Sequence, residues 1–134
     1  MSNPHTDPSP ELFPLRVLIA IRATLAIGGL LVPRFGFRLF LMEAAGTPAP
    51  VMGRMFAVRN AVIALGLARL DTTRVPRAFL RLNMLIDIVD ALAFAASGRR
   101  REIGGGAAAL GVGVALTAAT LGGAVGARMP ADPR

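Results

Sequence analysis

The sequence predicts an all-α integral membrane protein, a four-helix antiparallel bundle with a short interfacial helix between spans one and two. Three observations lead there. Of the 134 residues, 54% are apolar and 17% charged, against about 25% charged in soluble domains, and the mean hydropathy is +0.58. Four apolar stretches, near 15–32, 52–70, 78–97 and 103–127, approach the roughly 20 residues a helix needs to cross hydrocarbon. Finally, two aspartates near the middle of the third stretch have arginines at matching depth in the first two.

Residues 1–14 read as a mobile N-terminal tail. Pro4, Pro8 and Pro10 alternate with His5, Asp7 and Glu11, without apolar periodicity. The tail has no basic n-region and the apolar segment after it no small-residue cleavage site, so a cleaved signal peptide is not expected. The first span, 15–32, lies between Pro14 and Pro33. Its Leu, Ile and Val residues gain about 3 to 6 kcal/mol on insertion against a cost of about 3 for Arg22. Phe35 to Glu43 is too short to cross and mixes Arg38 and Glu43 with Phe37, Phe40 and Leu41, which suits a helix lying at the interface. Gly46, Pro48 and Pro50 then form a turn.

The second span, 52–70, contains Arg54, Arg59 and Asn60, and its small residues Ala57, Ala61, Ala64 and Ala68 form a stripe that admits a neighbouring helix closely. Asp71 to Arg77 is a polar connection, with Pro76 where the third helix begins. In the third span, 78–97, Asn83, Asp87, Asp90, Phe94 and Ser97 share one helical face. Its large apolar residues gain about 3 to 5 kcal/mol, whereas two central aspartates cost about 5 to 7, so other spans must neutralise them. The fourth span, 103–127, is built from Gly, Ala, Val and Leu, with a small-residue stripe at Gly111, Ala115, Ala118, Gly122 and Gly126. That stripe serves packing within the bundle, or a homo-oligomer or membrane-protein partner contacted through the fourth span. A polar tail, 128–134, follows.

Four spans put both termini on one side. Arg16, Arg69, Arg74, Arg77, Arg81, Arg128 and Arg134 fall there and Arg34, Arg38, Arg54, Arg99, Arg100 and Arg101 opposite, a narrow bias that leans towards cytoplasmic termini in the cell membrane. With a rise of about 1.5 Å per residue, Arg22 and Asp87 lie about 10 and 13 Å from the terminal side, and Arg59 and Asp90 each about 10 Å from the other. The expected pairs are Arg22 with Asp87 and Arg59 with Asp90, with Asn60 and Asn83 as supporting hydrogen-bond groups. Together these six residues form the predicted buried polar core. Arginine stays charged in any surroundings, so the aspartates are its titratable members.

Other chemistry finds little support. The net charge of +7 comes from fifteen arginines and no lysine, and the chain lacks Trp and Tyr. The arginines bracket apolar segments instead of lining a surface with stacking aromatics, which argues against nucleic acid and for the lipid bilayer as partner. Cysteine is absent and His5 is the only histidine, so no metal site, haem or other cofactor is expected. Ser2, Ser9 and Ser97 have no histidine to activate them, and no catalytic residues are assigned. Gly104 to Gly106 and Gly111 to Gly113 follow no strand and precede no GK[ST], so they are not phosphate loops.

Asp87 and Asp90 form a DxxD similar to the start of the CDP-alcohol phosphotransferase motif. Ala91 stands where that motif has glycine, and its arginine and second acidic pair are missing. The whole layout resembles the small four-span bacterial membrane proteins grouped as DoxX-like. The resemblance is carried by Arg22, the break at Val32 to Phe35, and RMFAVRNAVIALGLA at Arg54 to Ala68. It implies a membrane fold without a settled catalytic role. Two functional expectations follow: a small structural or accessory membrane subunit with a buried Arg/Asp network, or a minimal transporter or proton-coupled carrier using those charges.

Overall fold

The computed structural model describes residues 13–31 and 49–132. Among them the chain is all-helical: α1 (Phe13–Leu31), α2 (Ala49–Ala68), a 3-10 turn (Leu70–Thr72), α3 (Pro76–Arg99) and α4 (Gly105–Arg128). Three of these, α1, α2 from Pro50 onward and α4, are long and apolar enough to cross a membrane. The expected interfacial helix at 35–43 lies outside the described residues, as does Val32.

Element ends differ from expectation for local reasons. Phe13 and Pro14 belong to α1, not to a tail; proline is tolerated in a first turn because its missing N–H has no helical partner there. Pro50 likewise lies within α2 and not in the preceding turn. Leu70, expected to close the second span, moves into the 3-10 turn. Its neighbours Thr72 and Thr73 turn their hydroxyls onto the Arg69 carbonyl at 2.9 and 3.1 Å. Helix α3 starts at Pro76 and runs past Ser97 to Arg99. It stops where Arg101 adopts φ 59°; Arg101 N–H donates to Gly98 O at 3.1 Å and Glu102 N–H to Ser97 O at 3.0 Å. Those two bonds are a Schellman motif, here with arginine in the left-handed position that glycine usually fills. Helix α4 begins at Gly105, not 103, because Gly104 is extended, and it takes in Arg128.

Helix α3 packs along α4, α1 packs along α2, and α1 also touches α4. Neighbouring positions on α3 and α4 pair in opposite order. Gly98 faces Ala108, Phe94 faces Gly111, Met84 faces Gly123 and Leu80 faces Gly126. The α1–α2 contact is close at Gly29, where an added Cβ would stand 2.6 Å from the Ala57 Cβ. Ala57 is fully buried, Ala61 and Ala64 are half-buried and Ala68 is exposed, so only the start of the expected alanine stripe is enclosed.

The small-residue stripe of α4 is largely enclosed by the chain itself: Gly111, Ala115, Ala118 and Gly122 are buried and Gly126 half-buried. The tight position is not the Gly122/Gly126 pair. Cβ atoms there would meet neighbours at 4.0 and 3.8 Å, ordinary contact, whereas at Gly111 a Cβ would lie 2.4 Å from the Phe94 ring. Glycine at 111 therefore makes room for an aromatic ring, a role that the GxxxG spacing does not reveal. Towards the chain termini, Leu18, Ile63, Leu67, Leu70, Leu80, Ala118 and Val125 close an apolar layer. One to two turns beyond it along α1, α2 and α3 lie the buried polar residues.

Candidate functional site

Arg22 follows Leu18 by one turn of α1 and is buried, which places its guanidinium directly below the apolar layer. There Nη2 donates to both carboxylate oxygens of Asp87, each at 2.6 Å, and Nη1 donates to Asn60 Oδ1 at 3.0 Å. Arg22, Asn60 and Asp87 are all 2% exposed or less. Three helices thus meet at one cation. Such charge-assisted bonds are about twice as strong as neutral ones, and they are what makes a buried charge tolerable at all.

Three residues along α3, Asp90 stands beside the same space. Arg59 of α2 donates to it from both terminal nitrogens, Nη1 to Oδ1 at 3.2 Å and Nη2 to Oδ2, and its guanidinium carbon lies 4.9 Å from the centre of the Phe56 ring. This pair is looser in its setting: the Arg59 side chain is 35% exposed. Both pairs expected from depth matching are therefore present.

The two asparagines part company. Asn60 accepts from Arg22 and donates from Nδ2 to Phe56 O at 2.9 Å, satisfying both ends of its amide. Asn83 donates to Phe79 O at 3.1 Å within its own helix, and its Oδ1 has no partner among the described residues. It is buried beside the network without belonging to it. Phe56 was missed in the sequence, although its spacing of three and four residues before Arg59 and Asn60 put it on their helical face.

Beside Arg22, Asp87 and Asp90 lies a cavity of 20 Å³ that Phe56, Phe94 and Gly111 also border. That is room for about one water molecule. No family model, curated protein or solved structure matches this chain. Its chemistry must be read from these groups alone. The network consists of two guanidiniums, two carboxylates and an amide, each cation spent on a carboxylate of the same chain. Among the described residues no three His, Cys, Asp or Glu side chains gather as metal ligands.

Proposed function

We propose that the protein is a four-span integral membrane protein, an up-and-down antiparallel bundle, and that it acts as a small structural or accessory membrane subunit held together by its charged layer. The DoxX-like resemblance is part of the same proposal. The observation that carries it is the inverted polarity of α3. This helix buries Asn83 and Asp87 and turns Leu82, Leu85, Ile88, Val89 and Leu92 outward, each at least 39% exposed. In water that arrangement exposes apolar surface and hides charge, both unfavourable; in hydrocarbon both signs reverse. At about 1.5 Å per residue the 24 residues of α3 extend about 36 Å, enough to cross the apolar core. Helix α3 is thus a span alongside the three more apolar helices, third in chain order, and its lower hydropathy reflects charges that neighbouring helices neutralise.

The paired state of the charges and the one-water cavity support the structural reading over the carrier. A carrier needs an acidic or basic group that exchanges partners with cargo, and here each carboxylate already faces a guanidinium. The chain itself buries most of the α4 stripe, so it works first within the bundle. The termini share one side, placed in the cytoplasm by the narrow arginine bias.

Fractionation tests the membrane reading. The expressed chain should resist alkaline carbonate and high-salt washing and enter solution only with detergent; release by carbonate overturns it. Liposomes test the rest, with no proton flux expected above empty vesicles. A flux that Asp87→Asn abolishes in a folded protein would establish the carrier instead.

A further inference from the structure

The seam between α2 and α3 has two features that the charged layer does not use. On its outer side lies a groove of 340 Å³ lined by Val62 and Ile63 of α2 and by Phe79, Leu82 and Ile86 of α3; Arg59 and Asn83 also border it but present no accessible polar atom to it. Its rim residues Val62 and Leu82 are 63% and 56% exposed, so it opens outward. At the end of the seam where the two helices are joined, the chain sets Arg69, Arg74, Arg77 and Arg81 against the acids Asp71 and Asp132. Arg69, Arg74 and Arg81 are exposed, and none of the four is ion-paired among the described residues.

The groove adjoins the arginines on the α2 side and at the connection: Arg69 stands seven residues after Val62 and so on the same face, and Arg74 lies in the segment joining the helices, whereas Arg77 and Arg81 lie on the side of α3 away from Phe79, Leu82 and Ile86. The first amides of α3 are already taken: Asp132 accepts from the N–H groups of Arg77 and Ala78 at 2.9 and 2.8 Å. An anion arriving at this end therefore meets guanidinium side chains, which hold phosphate with paired hydrogen bonds. The groove beyond offers no polar atom to a water molecule, and its volume falls in the range that encloses small apolar ligands.

We infer that this seam binds one anionic phospholipid, with its phosphate on Arg69 and Arg74 and an acyl chain in the groove. The inference rests on the bilayer-spanning reading above. Charge complementarity selects the headgroup, and the apolar wall selects the chain.

Native mass spectrometry of the full chain in mild detergent, offered phosphatidylglycerol and phosphatidylcholine with the same acyl chains, tests it. The protein should retain one phosphatidylglycerol in preference to phosphatidylcholine by about tenfold, as two arginines at a headgroup provide. The exposed double variant R69Q/R74Q should lose the preference while keeping its helical circular dichroism, and V62W/L82W should lose retention of both lipids. Equal retention of the two lipids overturns the inference, as does a preference that survives R69Q/R74Q or retention that survives V62W/L82W. Displacement by glycerol phosphate as effective as by the lipid removes the acyl part. A dimer that V62W/L82W dissociates puts a second copy in the groove instead. Each of these outcomes is distinct from release by carbonate, which would remove the membrane reading itself.

Discussion

The two ion pairs of the charged layer have the same chemistry and lie three residues apart on one helix, yet they occupy different environments. The side chains of Arg22 and Asp87 are 2% and 3% exposed, those of Arg59 and Asp90 35% and 20%. The cause is the helix that carries each arginine. Helix α1 contacts both α2 and α4 and brings Arg22 into the middle of the group, whereas α2 packs on α1 and reaches α3 chiefly through side chains. Burial of a charge pair is thus set by where its helix sits, and depth along the helix fixes only who the partner is.

That contrast predicts an ordered series. Asp87→Asn should have the largest effect, about 3 kcal/mol or more, because it leaves the Arg22 guanidinium buried without a counter-charge. Thermal unfolding in detergent followed by far-UV circular dichroism reads it, since the chain has neither Trp nor Tyr for intrinsic fluorescence. The double replacement R22M/D87L should restore most of the loss, as apolar substitutes for a buried pair commonly do. Strict additivity of the two changes would break the claim that they act as one pair. Asn60→Ala should cost about 1 to 2 kcal/mol, since it removes an acceptor from a buried charged donor. An unchanged unfolding temperature would show that Arg22 needs only Asp87. Asp90→Asn should have the smallest effect, under about 1 kcal/mol, because a part-exposed guanidinium finds other solvation and keeps the Phe56 ring. A loss as large as that of Asp87→Asn would erase the distinction between the pairs.

Much of this layer was legible in the sequence. The prolines at 14 and 76 and the polar connection 71–77 bracket the helices closely enough that counting residues matched Arg22 to Asp87 and Arg59 to Asp90, and arginine is long enough to absorb boundary errors of a turn. The asparagines were not separable by counting, because an amide can satisfy itself on the carbonyl four residues back, and Asn83 does so. The role of Gly111 was hidden for another reason. A glycine that accommodates a ring is recognised from the ring on the neighbouring helix, and nothing local to α4 announces Phe94. Unequal enclosure of the alanines of α2 is likewise a property of the group of helices and not of the stripe. Asp132 stands in a segment without periodicity, where no pattern points to a partner more than fifty residues away.

That distant contact has its own consequence. By gripping the two amides that open α3, the Asp132 carboxylate fastens the end of the α4 segment to the start of the helix beside it, so that residues 77–132 form a closed non-covalent ring. Cutting the chain between Met129 and Asp132 opens that ring without touching any span. Fraying would then begin at Pro76, where the helix that carries the buried acids loses the hold on its first amides.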